Sequence, residues 1–177
     1  MKKILGVTGL AGCGKDTVAK YLVEKYNFDW FNFSDILRDE CKKQNIEPTK
    51  MNLSKIGDKY REEKGMGGLA VGILEKIKKS EKNKIAITGF RSPEEVDYIR
   101  NNVEDFTLIE IRTDPLIRWE RRKESDPQNK EEFFERDSRD KELKGLGKVI
   151  DISDEVISNN STVQDLKKET DKFITDF

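Results

Sequence analysis

The segment Gly9-Leu10-Ala11-Gly12-Cys13-Gly14-Lys15-Asp16-Thr17 constrains the fold of this chain more than any other. It follows the apolar run Ile4-Leu5-Gly6-Val7-Thr8 and leads into the helix-like stretch Val18-Ala19-Lys20-Tyr21-Leu22-Val23. A strand, a glycine loop ending in lysine and a helix form the arrangement of a phosphate-binding P-loop. Glycines let successive backbone N–H groups turn inward at phosphate oxygens, and the helix adds the positive end of its dipole. Lys15 would then reach the β- and γ-phosphates as a point charge. One position departs from the motif: Asp16 stands where a metal-binding hydroxyl is usual, with Thr17 one place later.

The rest of the chain limits which chemistry can accompany that loop. Its 177 residues suit one domain, 39% of them charged, with a net charge of −1 that argues against a generally basic nucleic-acid binder. There is no histidine, so imidazole-based catalysis and the commonest metal ligand are excluded. Two distant cysteines, Cys13 and Cys41, give neither a disulfide framework nor a metal spacing. No apolar leader or long apolar run is present, so a cytoplasmic protein without a membrane partner is expected. Any chemistry must run on lysine, arginine, carboxylates and a hydrated metal ion.

Apolar runs predict strands at 4–8, 30–33, 85–88, 107–111 and 155–158. Helical periodicity between them covers 16–26, 35–44, 53–63, 68–79, 93–101, 115–124, 131–142 and 162–175. The alternation predicts a parallel sheet covered on both faces, with ligands at the carboxyl ends of its strands. Segments 45–80 and 123–149 interrupt the rhythm and are expected to overhang the phosphate loop.

Phosphoryl transfer needs two reactants held in line and positive charge around an anionic transition state. Arginines stand where strands end. Arg38 lies one turn past Ser34, Arg91 follows Gly89-Phe90, and Arg118 and Arg122 are spaced i, i+4. Arg136 and Arg139 are spaced i, i+3, and Arg61 sits in a charged helix. Each has a blander reading as a surface ion pair, with Glu131, Glu132, Glu135, Asp137 and Asp140 at hand.

At these residues the chain resembles the adenylate-kinase-like group of P-loop kinases. Ser34-Asp35-Ile36-Leu37-Arg38 is similar to that family's acceptor-reading Gly-Asp-x-Leu-Arg. Thr88-Gly89-Phe90-Arg91 is similar to its Asp-Gly-Phe-Pro-Arg, with Thr88 where an acidic residue is frequent. Arg118 and Arg122 match its Arg-x-x-x-Arg lid hinge, with Arg136 and Arg139 beyond the lid. Gly6-Val7-Thr8-Gly9 looks like the opening of dephospho-CoA kinases, and Gly-Lys-Asp-Thr like the loop of some deoxynucleoside monophosphate kinases. The run Gly89 to Val96, with a later Glu-Arg-Asp and Gly-x-Gly-Lys-Val-Ile, is closest to archaeal adenylate-kinase-related proteins of unsettled substrate.

The resemblance implies a three-layer α/β P-loop fold of the nucleoside monophosphate kinase type, one domain over 1–177 with a five-stranded parallel sheet. It implies an acceptor-covering insertion at 45–80 and a lid at 123–149. The donor, ATP with Mg²⁺, would bind Gly9, Ala11, Gly12, Cys13, Gly14, Lys15, Asp16 and Thr17, with Asp16 or Thr17 on the metal. A nucleoside or deoxynucleoside monophosphate would meet Ser34, Asp35, Arg38, Arg61 and Arg91. Lys15, Arg118, Arg122, Arg136 and Arg139 would carry the catalytic charge. Transfer to a ribose hydroxyl, as in dephospho-CoA kinases, is one alternative. A nucleotide-gated regulator with weak ATPase activity is the other.

Overall fold

The computed structural model describes residues 2–142 and 145–177, so positions 143 and 144 of the expected lid lie outside the described residues. Five strands form one parallel sheet: β1 (Lys3–Thr8), β2 (Asp29–Asn32), β3 (Lys84–Thr88), β4 (Asp105–Arg112) and β5 (Glu155–Ser158). Their spatial order is β2-β3-β1-β4-β5. The chain leaves β1 towards β2 and later crosses to β4, so strand order reverses beside β1, where open α/β sheets bind ligands.

Alternation along the strands buries both faces. Ile4, Ile85, Ile87 and Leu108 pack into one core, Leu5, Val7, Ala86, Ile109 and Ile111 into the other. The second core is closed by α1 (Lys15–Tyr26) and α9 (Val163–Asp176), which supply Val18, Leu22 and Leu166. The first is closed by α2 (Phe33–Lys43), α4 (Gly68–Lys79), α5 (Pro93–Asn102) and α8 (Leu146–Asp151). Outside them lie α3 (Lys50–Lys64), α6 (Pro115–Glu120) and α7 (Lys130–Glu142).

Local chemistry sets the helix starts. The Asn32 side chain accepts from Ser34 N–H while Asp35 accepts from Asn32 N–H, a reciprocal cap that turns β2 directly into α2. Ser92 and Asp114 cap α5 and α6, each followed by a proline in the first helical position. Two expectations change. The helix expected over 115–124 stops at Glu120, because Arg121 leaves helical geometry and its side chain bonds the carbonyls of Asn159 and Ser161. Helix α8 is unannounced by periodicity: it is six residues long and held through Leu146 and Val149 against α5 and α7. Among the described residues no helix is long and apolar enough to cross a membrane.

Candidate active site

The phosphate loop runs from the end of β1 into α1. Gly9, Gly12 and Gly14 all have positive φ, at 139°, 77° and 104°. At Gly14 a Cβ would lie 2.5 Å from Asn159 Nδ2, so glycine is needed there for space as well as for conformation. No side chain caps α1, which leaves its first amides open to an anion. The loop is anchored from behind: Thr113 Oγ1 and Asn159 Nδ2 both donate to the Cys13 carbonyl, at 2.9 and 2.8 Å. The Cys13 thiol packs into the core, and burial pushes its pKa up from the ordinary value.

Asp16 is exposed on the first turn of α1, with Thr17 half-buried beside it. Their hard oxygens suit Mg²⁺, which takes one or two protein ligands and completes its shell with water and nucleotide phosphate. Among the described residues no group of three or more carboxylates or cysteines is placed to hold a metal ion. Thr88 takes no part. Its Oγ1 accepts from Trp30 Nε1 at 2.8 Å and Asn32 Nδ2 at 2.9 Å, fastening β3 to β2.

The carboxyl end of β3, the strand next to β1, carries a second constellation. Gly89, with φ 91°, sits against Asn32 Oδ1, and Phe90 packs on Phe33 at 4.9 Å between ring centroids. That burial of Phe90 turns the next residue, Arg91, outward. Arg91 donates its backbone N–H to Glu95 Oε2 at 2.7 Å, and its guanidinium lies 3.9 Å from Asp140. Arg61, brought in by α3, lies 3.6 Å from the other oxygen of the same Glu95 carboxylate. Glu95 is fully buried, and desolvation raises its pKa to about 6 against the opposing pull of its hydrogen bonds and of Arg61. Arg38 lies on exposed α2, held by Ser34 Oγ at 2.8 Å and Asp35 Oδ1 at 2.7 Å.

The arginines expected to serve a lid separate. Arg118 is buried, 1% exposed, and meets Asp137 of α7 through two hydrogen bonds of 3.0 and 2.5 Å. Its Nη1 also donates to the Ala11 carbonyl of the phosphate loop at 3.2 Å. Arg122 lies beyond the end of α6, its guanidinium 3.7 Å from the Trp119 ring centroid. Arg136 stacks over Phe133 and donates to Asp126 at 2.7 Å. Arg139 is exposed on another face of α7, beside Glu135 and Phe134.

The sequence reading did not assign Glu95, Asn159 or Thr113 to the site. Glu95 reads as an ordinary third residue of a capped helix, and Asn159 follows a strand with no recognisable spacing to the loop it supports. Asp137 and Asp140 were visible only as generic ion-pair partners. The contacts of Asn159 and Thr113 span 146 and 100 residues, so no local pattern announces them.

Known proteins share this sequence pattern and fold. A UPF0200 protein of Methanocaldococcus jannaschii is 34% identical over 177 residues, covering 97% of this chain and 88% of the relative. A shikimate kinase of Bacteroides thetaiotaomicron superposes with a TM-score of 0.64 at 11% identity, covering 99% of each chain. A gluconokinase of Sinorhizobium meliloti gives a TM-score of 0.56 at 11% identity, covering 96% of this chain and 89% of that one. The fold is that of α/β P-loop kinases. A family model described as an AAA domain matches residues 5–145, and with the similarity to the archaeal protein this places the chain in that P-loop family and, within it, among the UPF0200 proteins.

Proposed function

We propose that this protein transfers the γ-phosphoryl group of ATP to a small phosphorylated acceptor, a nucleoside or deoxynucleoside monophosphate. One observation carries the reading: beside the phosphate loop, at the turn that follows β3, Arg91 gives its backbone N–H to one oxygen of the buried Glu95 carboxylate while the Arg61 guanidinium, brought by α3, lies 3.6 Å from the other. A guanidinium suits phosphate, which accepts bidentate hydrogen bonds, and this turn and α3 each bring one.

In this reading the amides of residues 10–17 and Lys15 hold the donor phosphates. Asp16 or Thr17 contacts Mg²⁺, which would neutralise charge between the β- and γ-phosphates when bound. Arg38, Arg61 and Arg91, with Ser34 and Asp35, orient the acceptor beneath the cover of α3 and α4. Arg122, Arg136 and Arg139 add positive charge from the lid, 123–149. Arg118 acts from its pair with Asp137, tying lid and phosphate loop together. The positions of these groups, rather than covalent chemistry, supply the rate.

A second reading, transfer to an alcohol group, is favoured by the likeness of fold to a shikimate kinase and a gluconokinase. A coupled assay with ATP and Mg²⁺ separates the readings. Turnover with AMP, dAMP or other monophosphates is expected, and turnover with dephospho-CoA, shikimate or gluconate alone would replace the first reading by the second. ATP binding with slow hydrolysis that no acceptor stimulates would point instead to a nucleotide-gated regulator.

A further inference from the structure

We propose that Glu95 is a positioning residue for the acceptor, a buried anion that presets the Arg61 and Arg91 segments at the spacing a phosphate requires. The inference rests on the phosphorylated-acceptor reading above and adds to it the residue that organises the acceptor side.

The two oxygens of Glu95 have different tasks. Oε2 accepts the Arg91 backbone N–H at 2.7 Å, which fixes the turn between β3 and α5 from which the Arg91 side chain departs. Oε1 faces Arg61 Nη2 at 3.6 Å but has no hydrogen-bond partner, although it is buried. Arg61 Nε is likewise buried and without one. A buried acceptor and a buried donor left open side by side are costly unless something completes them. Helix capping alone explains Oε2 and leaves Oε1 unexplained. A ligand entering beside Arg61 completes both atoms: an acceptor oxygen takes the Arg61 N–H, and a hydroxyl or protonated oxygen donates to Oε1.

The surrounding charges support a positioning role. Arg61 comes from α3 with Asp58 3.8 Å away, Arg91 from the β3–α5 turn, and Asp140 from α7 lies 3.9 Å from Arg91. Glu95 stands inside this ring as a carboxylate that touches both arginine-bearing segments. It keeps the two segments together while no acceptor is bound. A carboxyl titrating near 6 is ionised at neutral pH and loses that attraction on mild acidification.

The variant Glu95→Gln tests this, because it keeps an oxygen for the Arg91 N–H and replaces the charged oxygen facing Arg61 by a neutral amide NH2. With AMP as acceptor and saturating ATP and Mg²⁺ at about pH 7.5, its acceptor KM should rise about tenfold while the KM for ATP is unchanged. The difference from wild type should shrink as pH falls through 6 and vanish about one unit below it, where the wild-type carboxyl is protonated. Adding Glu95→Gln to Arg61→Ala should change the acceptor KM far less than adding it to wild type. An unchanged KM at the higher pH, or a difference that persists on acidification, overturns the proposal.

If no acceptor is phosphorylated, the functional reading fails separately. Calorimetric binding of AMP to protein loaded with Mg²⁺ and a non-hydrolysable ATP analogue then makes the same comparison, and wild type that binds no AMP in that state overturns the inference too. Should the variant fold poorly, carbon-13 NMR of the wild-type Glu95 carboxyl decides. AMP should lower its titration midpoint, because the ionised carboxyl is the form that favours AMP, and a midpoint that rises or does not move rejects the role.

Discussion

Lys15 and Arg118 carry the same formal charge in opposite settings, and their substitutions should fail differently. Lys15 stands at the first position of an uncapped helix, so Lys15→Ala should leave the melting temperature near wild type and lower turnover by about 10²–10³-fold. Arg118 is enclosed with Asp137, and Arg118→Met would strand that carboxylate, costing about 3–5 kcal/mol in urea unfolding. The double change Arg118→Met with Asp137→Leu should recover much of the loss, since neither charge is then left buried and unpaired. Glu95 gives a pH signature. Its carboxyl ionises near 4.5 in the unfolded chain and near 6 in the fold, so the folded protein holds the proton longer. Stability should therefore fall as pH rises from 4.5 to 6, by up to about 2 kcal/mol, and Glu95→Gln should flatten that slope. All of these arginines could be read from the chain, but Asp137 lies 19 residues from Arg118, and only packing chooses it over the neighbouring acids.

Among the elements, what was legible followed local rules. All five strands lie within a few residues of their expected places, because alternating apolar residues have only one way to bury both faces of a parallel sheet. Helix starts at Ser92, Asp114 and Thr162 follow from caps whose partners are two or three residues away. Helix α8 and the early end of α6 were hidden because contacts from distant segments set both. The phosphate loop depends on such a contact. Asn159→Ala would remove one of two donors to the Cys13 carbonyl and should weaken binding of a fluorescent ATP analogue severalfold, with about 1–3 kcal/mol lost in stability.

Across the whole molecule, α7 links the two halves of the site. Asp137 and Asp140 are spaced i, i+3, one paired with Arg118 against the phosphate loop and the other near Arg91 at the β3–α5 turn. Arg136 ties the same helix to Asp126 in the preceding loop. Movement of α7 on nucleotide binding would be felt at Trp119, which lies between Arg122 and Phe133, 5.4 Å from the latter. Binding of Mg²⁺ and a non-hydrolysable ATP analogue should change tryptophan emission, and Trp119→Phe should abolish the change. Trp30, held on Thr88 within the sheet, should stay silent.

By itself the sequence determined the phosphate loop, the parallel sheet and the inventory of basic groups, because backbone conformation, strand alternation and helix caps are settled within a few residues. Tertiary structure alone decided which of those basic groups are available to a ligand. It enclosed Arg118 with an aspartate of α7, joined the Arg61 side chain and the Arg91 backbone through a buried glutamate, and occupied the Thr88 hydroxyl with hydrogen bonds from β2. Charge becomes function only once its partners are fixed, and partners far apart in the chain are chosen by packing.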